Sequence, residues 1–128
     1  MTAPVKTAQS AAGSVLDTDV VTMLLTLDEN GNLLSRLLEE FRFDAVRFGV
    51  EASAGVLHLD AQSICRAAHT LRGSSGTLGM LALATLCLEI EELAQARRFE
   101  SLGTKLEEFE PSLERALAAV DAFRQGSA

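Results

Sequence analysis

One histidine, His69, is placed where an exposed nucleophile could act. If the segment around it is helical, at about 100° per residue, His69 points away from the apolar positions, and Arg66 and Arg72 lie within about 60° on either side of it. A neutral imidazole carries a nucleophilic lone pair, and guanidinium groups bind anions. The strip formed by Arg66, His69 and Arg72 therefore predicts a ring nitrogen that can hold an anionic group.

Two glycines lie beside this histidine. Gly73 and Gly76 fall within about 40° of His69 on the helical projection, although a glycine inside a helix costs about 1 kcal/mol relative to alanine. Because a solvent-facing glycine fills no core, we expect these two to give a partner close access to the ring. No Asp or Glu occurs from Ala61 to Leu88, which predicts a locally positive region.

Helices must position this strip, because apolar residues recur from residue 15 onward at steps of three and four. Asp17 is a candidate N-cap for a short first helix, and residues 28–32 end it. A second amphipathic helix follows and is expected to fade near Ala54-Gly55. Asp60 is the candidate N-cap of the third helix, which carries His69.

Two further helices complete the pattern. In the fourth, the glutamates at 89, 91 and 92 are interpreted as a solvated face, and Arg97-Arg98 are expected in the last turn, where cations are favourable. The final stripe continues through Pro111, which predicts a kink in one helix. The fold class predicted is all-α, an antiparallel four-helix bundle with a short additional N-terminal helix, over residues 15–124 after a disordered leader at 1–14.

Composition limits the classes of function. The chain has 128 residues, 48% of them hydrophobic, and a formal net charge of −7, which argues against nucleic acid or an anionic membrane as a partner. No signal segment or membrane span is evident. Two cysteines, Cys65 and Cys87, make no disulfide framework and indicate a reducing compartment. A cytoplasmic location is expected.

The segment His69-Thr70-Leu71-Arg72-Gly73-Ser74-Ser75, followed by Leu78-Gly79 and by 86-LCLEIE-91, resembles the histidine-containing phosphotransfer (HPt) domain of multistep phosphorelays. The resemblance covers about residues 15–123. It implies that His69 accepts the phosphoryl group and that Arg72, where the family usually has Lys, steadies that group. We expect Arg66 to give electrostatic support and Thr70, Gly73, Gly76 and Gly79 to border the approach of a partner. The glycine spacing could instead reflect close helix packing or a helix end, which for Gly79 is an equal alternative.

The resemblance also implies a mechanism and partners. His69 would take a phosphoryl group from a receiver-domain aspartate and pass it to another, with receivers of a hybrid sensor kinase and of a downstream regulator as partners and a monomeric carrier between them. The domain itself needs no cofactor, since the receiver brings Mg²⁺. No nucleotide-binding glycine motif occurs, and the only lysines are Lys6 and Lys105, so the chain is expected to be a carrier without an ATP site.

Other interpretations remain open. The phosphate-accepting domain of a chemotaxis-type kinase has a similar motif, but an acidic residue that would orient the histidine is not identifiable in the sequence. A bundle that only docks on a partner is a third possibility. Cys65 and His69 are four residues apart and could form half a metal site, but with only His58 available in addition we expect no metal.

Overall fold

The computed structural model describes residues 15–28 and 32–126, and the predicted leader at 1–14 lies outside them. These residues form helices and no strands, which confirms the all-α fold class. In chain order the helices are α1 (Thr18–Leu27), α2 (Leu33–Leu57), α3 (Ala61–Thr77), α4 (Leu81–Gln95), α5 (Phe99–Leu106) and α6 (Phe109–Gly126).

The core lies between the long helices α2, α3, α4 and α6, with α1 and α5 covering it. Helix α3 packs on α4 and on α2, and α4 also contacts α5 and α6. Each long helix buries one apolar stripe, as its periodicity predicts. The largest side chains buried almost completely include Leu34, Ile64, Leu71, Met80, Leu83, Ile90, Leu102 and Val120. Within the described ranges, no helix is long and apolar enough to cross a membrane.

Both predicted N-caps are confirmed. The Asp17 carboxylate accepts the backbone N–H groups of Asp19 and Val20, and the Asp60 carboxylate accepts the backbone N–H and the hydroxyl of Ser63. These bonds satisfy donors that have no partner within the helix. The cap at Asp60 fixes the start of α3, two turns before His69.

Helix α2 is longer than predicted. It continues through Ala54 and Gly55 to Leu57. Gly55 does not end the helix but packs against α3, where any side chain at this position would collide with Ile64. The glycine thus permits close packing of the two helices. The chain reverses at Leu59, whose φ is 54°, and the N–H of Asp60 donates to the carbonyl of Gly55.

The prediction that Arg97-Arg98 lie in the last turn of the fourth helix is wrong. Helix α4 ends at Gln95, and Arg97 adopts a left-handed φ of 56°. The N–H of Arg98 donates to the carbonyl of Leu93, a bond that closes the helix end. The guanidinium of Arg97 lies 5.3 Å from the centre of the Phe99 ring, so it covers the start of α5.

The predicted kink at Pro111 is also wrong. The chain breaks earlier, at Glu107 and Glu108, and Pro111 is the third residue of α6. In the first turn of a helix the missing N–H of proline has no partner to lose. Lys105 reaches Glu89 of α4 at 3.3 Å and Glu108 at 3.6 Å, so an ion-pair cluster joins the break to α4.

Candidate functional site

Helix α3 presents His69 to solvent, as its periodicity predicts. The side chain of His69 is 65% exposed, whereas Ile64, Ala68 and Leu71 on the opposite face are buried. Burial of that face fixes the rotation of α3 about its own axis. His69 is therefore held outward by packing on the other side of its helix.

An acidic residue of α4 contacts this histidine. Oε2 of Glu91 lies 3.1 Å from Nδ1 of His69, and Oε1 of Glu91 accepts a hydrogen bond of 3.1 Å from Nε of Arg72. The Glu91 side chain is only 11% exposed. A carboxylate that is removed from water needs hydrogen-bonding partners, and α3 supplies both of them.

The guanidinium of Arg72 also touches the ring directly. Its Nη2 lies 3.1 Å from Nδ1 of His69, so His69, Arg72 and Glu91 form a closed triangle of contacts between α3 and α4. The Arg72 side chain is 37% exposed. All three groups meet at the Nδ1 side of the ring, which leaves Nε2, on the far side of the imidazole, to face an incoming partner.

The sequence analysis missed Glu91, and its interpretation as part of a solvated face is wrong. Of the three glutamates, Glu92 is exposed, Glu89 is half-buried and Glu91 is buried. The signal available was the spacing of Glu91 from Cys87 and Ala94, four residues before it and three after it, which are both buried on the same side of α4. Although α3 itself carries no Asp or Glu, a carboxylate of α4 therefore lies against it.

Arg66 stands on the other side of His69. Its Nη2 lies 3.5 Å from the hydroxyl of Ser63, and its side chain is exposed and lines a groove of about 470 Å³ between α2 and α3. Arg47 of α2 and Thr70 of α3 line the same groove. Arg66 and Thr70 therefore both lie on this groove, one turn before His69 and directly after it in α3.

The predicted access glycines divide into two kinds. Gly73 and Gly76 are exposed, and a side-chain carbon built on either would meet no atom within 4 Å. Gly79 is buried, has a φ of 74°, and a side-chain carbon there would lie 2.9 Å from the carbonyl oxygen of Asp17. Of the two alternatives for Gly79, these contacts favour close packing, here against the start of α1.

The two thiols have different surroundings. Cys87 is buried beneath the triangle, and this burial raises the pKa of its thiol to about 12. Cys65 is half-buried one turn before His69. In the described part of the chain, no three side chains of His, Cys, Asp or Glu converge as a metal site. His58 lines the far part of the groove between α2 and α3.

Comparisons with known proteins agree on one family. The family model described as "Hpt domain" matches residues 22–123. Histidine-containing phosphotransfer protein B from Pseudomonas aeruginosa PAO1 has a similar structure, with a TM-score of 0.76 and 25% identity over 87% of this chain and 95% of that chain. A histidine-containing phosphotransfer protein from maize gives a TM-score of 0.71 and 20% identity over 94% and 93% of the two chains. No curated protein sequence matches the chain significantly.

Proposed function

The chain belongs to the Hpt domain family, whose members carry phosphoryl groups between receiver domains of phosphorelays, and we propose that His69 is its phosphoryl acceptor. The observation that carries this proposal is the exposed ring of His69 with its Nδ1 held 3.1 Å from the buried carboxylate of Glu91. A phosphotransfer carrier needs one accessible nucleophile in a fixed orientation. His69 meets that requirement.

The proposed step conserves atoms and protons within the site. With Nδ1 protonated and donating to Glu91, the lone pair of Nε2 attacks the phosphorus of a receiver's aspartyl phosphate. The bond between phosphorus and the aspartate oxygen breaks, and its electron pair leaves on the carboxylate. The N–P bond forms while the Nδ1 proton stays on the ring. In the return step an aspartate oxygen attacks phosphorus and the electron pair goes back to Nε2.

Charge and space around Nε2 suit this exchange. Arg66 and, from the Nδ1 side of the ring, Arg72 provide positive potential for the three phosphoryl oxygens without a direct contact to Nε2, and the open surface at Gly73 and Gly76 lets a receiver approach. Mg²⁺ belongs to the receiver in this proposal. We further propose that the partners are the receivers of a hybrid sensor kinase and a downstream regulator, and that the carrier acts as a cytoplasmic monomer without an ATP site.

A transfer assay tests the acceptor. Receiver domains are loaded with radiolabelled aspartyl phosphate and mixed with the full chain, and the label on the chain is tested for survival in alkali and loss in acid, as expected for phosphohistidine. His69→Gln should take up no label. The matched control is His58→Gln, which removes the chain's other histidine and should label like the unaltered chain. Equal labelling of His69→Gln would disprove the assignment.

One observation favours a second candidate function. The phosphate-accepting domain of a chemotaxis-type kinase is expected to orient its histidine with an acidic residue, and Glu91 supplies that contact. In that role the phosphoryl group comes from ATP bound to a separate kinase domain. Incubation of the chain with such a kinase domain and radiolabelled ATP separates the candidates. Label from ATP, and none from a loaded receiver, would favour the second role.

A further inference from the structure

Helix α2 presents a row of apolar side chains to solvent. Its four members are between 66% and 77% exposed, more than any other large apolar residue in the described part of the chain, and they are Phe43, Val46, Val50 and Leu57. At about 100° per residue they project within about 60° of one another. The core-facing residues Phe41 and Phe48 are buried on the opposite side of the helix. We call the four exposed residues the outer face of α2.

The outer face has the spacing of a helix-packing surface. A helix at the surface of a bundle usually turns polar residues to solvent. Single exposed apolar residues are ordinary, but a continuous apolar patch marks a site of interaction. Steps of three, four and seven residues along one face suit a second helix that lies alongside. The outer face therefore fits a helical partner.

Gly49 borders the outer face and allows a close approach. It lies inside α2, and a side-chain carbon built on it would meet no atom within 4 Å. A glycine inside a helix costs about 1 kcal/mol relative to alanine, and packing within the bundle does not require this one. Ser53, one turn further on, is also small and exposed. The two residues let the backbone of another helix come near α2.

Two charged residues lie along the edge of the outer face that is nearer to α3. Arg47 and Glu51 are exposed and line the groove between α2 and α3, and neither takes part in the ion pairs between described residues. When two copies of one helix pack antiparallel about a two-fold axis, the same edge of each copy meets. With the axis at Gly49, Arg47 of each copy lies opposite Glu51 of the other.

The apolar residues match in the same register. Val46 of one copy lies beside Val50 of the second copy, and Phe43 lies within about half a turn of Leu57 of the second copy. The outer face is thus complementary to itself in charge and in apolar contact, as a two-fold interface requires. We propose that the outer face of α2 is a self-association surface on which a second copy of this chain packs antiparallel.

This pair of chains is weak. Two outer faces together bury on the order of 1,000 Å², below the roughly 1,200 Å² at which stable interfaces begin. The net charge of −7 on each copy also opposes their approach. The single chain therefore predominates at low concentration and remains the proposed phosphate carrier, and the pair forms where the chain is concentrated. Because pairing requires no phosphate, this inference does not rest on the proposed function.

Sedimentation velocity of the full chain tests the pairing. The weight-average mass should rise from that of one copy at about 10 µM toward that of two copies at about 1 mM. Val50→Glu places like charges near the axis and should raise the dissociation constant at least about tenfold, with an unchanged circular dichroism spectrum. The matched control is Met23→Glu, which adds the same charge at a 52% exposed residue of α1 and should associate like the unaltered chain.

A mixing experiment tests the antiparallel register. Arg47→Glu and Glu51→Arg should each abolish self-association, because like charges then face each other at both contacts across the axis. An equimolar mixture of the two variants should associate again, since opposite charges face each other in the mixed pair. A mixture that stays monomeric would overturn the proposed pairing.

Three other outcomes decide the inference. A chain that is monomeric at about 1 mM, or a Val50→Glu variant that associates like the unaltered chain, would overturn it. If the chain stays monomeric and Val50→Glu, but not Met23→Glu, slows the uptake of label from a loaded receiver, the outer face binds the receiver and not a second copy. If the chain associates as expected but His69 takes up no label, the proposed function fails and the self-association surface stands.

Discussion

Replacing Arg72 with alanine should cost more stability than its position on an exposed face suggests. The change removes the 3.1 Å hydrogen bond that Nε of Arg72 donates to Oε1 of Glu91, whose side chain is 11% exposed. A hydrogen bond to a charged group contributes about 1.5–3 kcal/mol. Because the Arg72 side chain is 37% exposed, water can replace part of it, and we expect a loss of about 1–2 kcal/mol.

Urea unfolding, followed by circular dichroism, measures this loss as a lower midpoint at an unchanged slope. The matched control is Arg66→Ala, on the same helix and on the other side of His69, where the side chain is exposed and its contact with Ser63 is 3.5 Å long. That variant should stay within about 0.5 kcal/mol of the unaltered chain. If both variants lose the same stability, the ion pair between α3 and α4 does not stabilise the fold.

Three other predictions concern the glycine at position 79, the two thiols and the N-cap at Asp60. Gly79→Ala should lower the free energy of unfolding by at least about 1–2 kcal/mol, because an alanine must adopt the left-handed φ of 74°. Gly103→Ala, with open space in α5, should raise it by about 0.5–1 kcal/mol. Equal thermal unfolding temperatures for the two variants would contradict this. Cys87 should resist a maleimide at pH 8 until the chain is unfolded, because burial raises the pKa of its thiol to about 12. Cys65, which is only half-buried, should react in the folded chain. Mass spectrometry of the labelled chain checks both thiols. Hydrogen bonds from Ser63 lower the pKa of Asp60, so ionised Asp60 stabilises the fold above its unfolded pKa and this contribution disappears as the pH falls through the folded pKa. Asp60→Asn should therefore lose less stability than the unaltered chain between pH 7 and pH 3, and an unchanged loss would refute the cap's role.

The sequence predicts a structural feature correctly where that feature depends on residues of a single helix. The N-caps Asp17 and Asp60 and the outward rotation of His69 depend only on periodicity and on hydrogen bonds within a few residues. The contact between His69 and Glu91 depends on how α4 is rotated against α3, over a separation of 22 residues. Periodicity along α4 places Glu91 at the edge of an apolar stripe but does not say which helix that edge faces.

The errors at Pro111 and Arg97 have a different origin. An apolar stripe at steps of three and four continues across the break at residues 107–108, since two consecutive helices can bury the same side toward one core. The proline then marks the first turn of α6 and not the middle of a longer helix. At Arg97 the left-handed φ of 56° stands where glycine is usual, so no glycine signals the end of α4.

At Gly73 and Gly76, the stability of helix α3 and the access of a partner to His69 favour different residues. Both residues lie within α3 with no atom near the position of a side-chain carbon, so alanine at either one would stabilise the helix by about 0.5–1 kcal/mol. In the proposed function, the same carbon would narrow the open surface beside His69 that a receiver approaches. Engineering that selects variants for heat resistance alone should therefore collect substitutions at these two positions and produce a firmer bundle that exchanges phosphate poorly. In this family, a gain in melting temperature is no evidence of a better carrier.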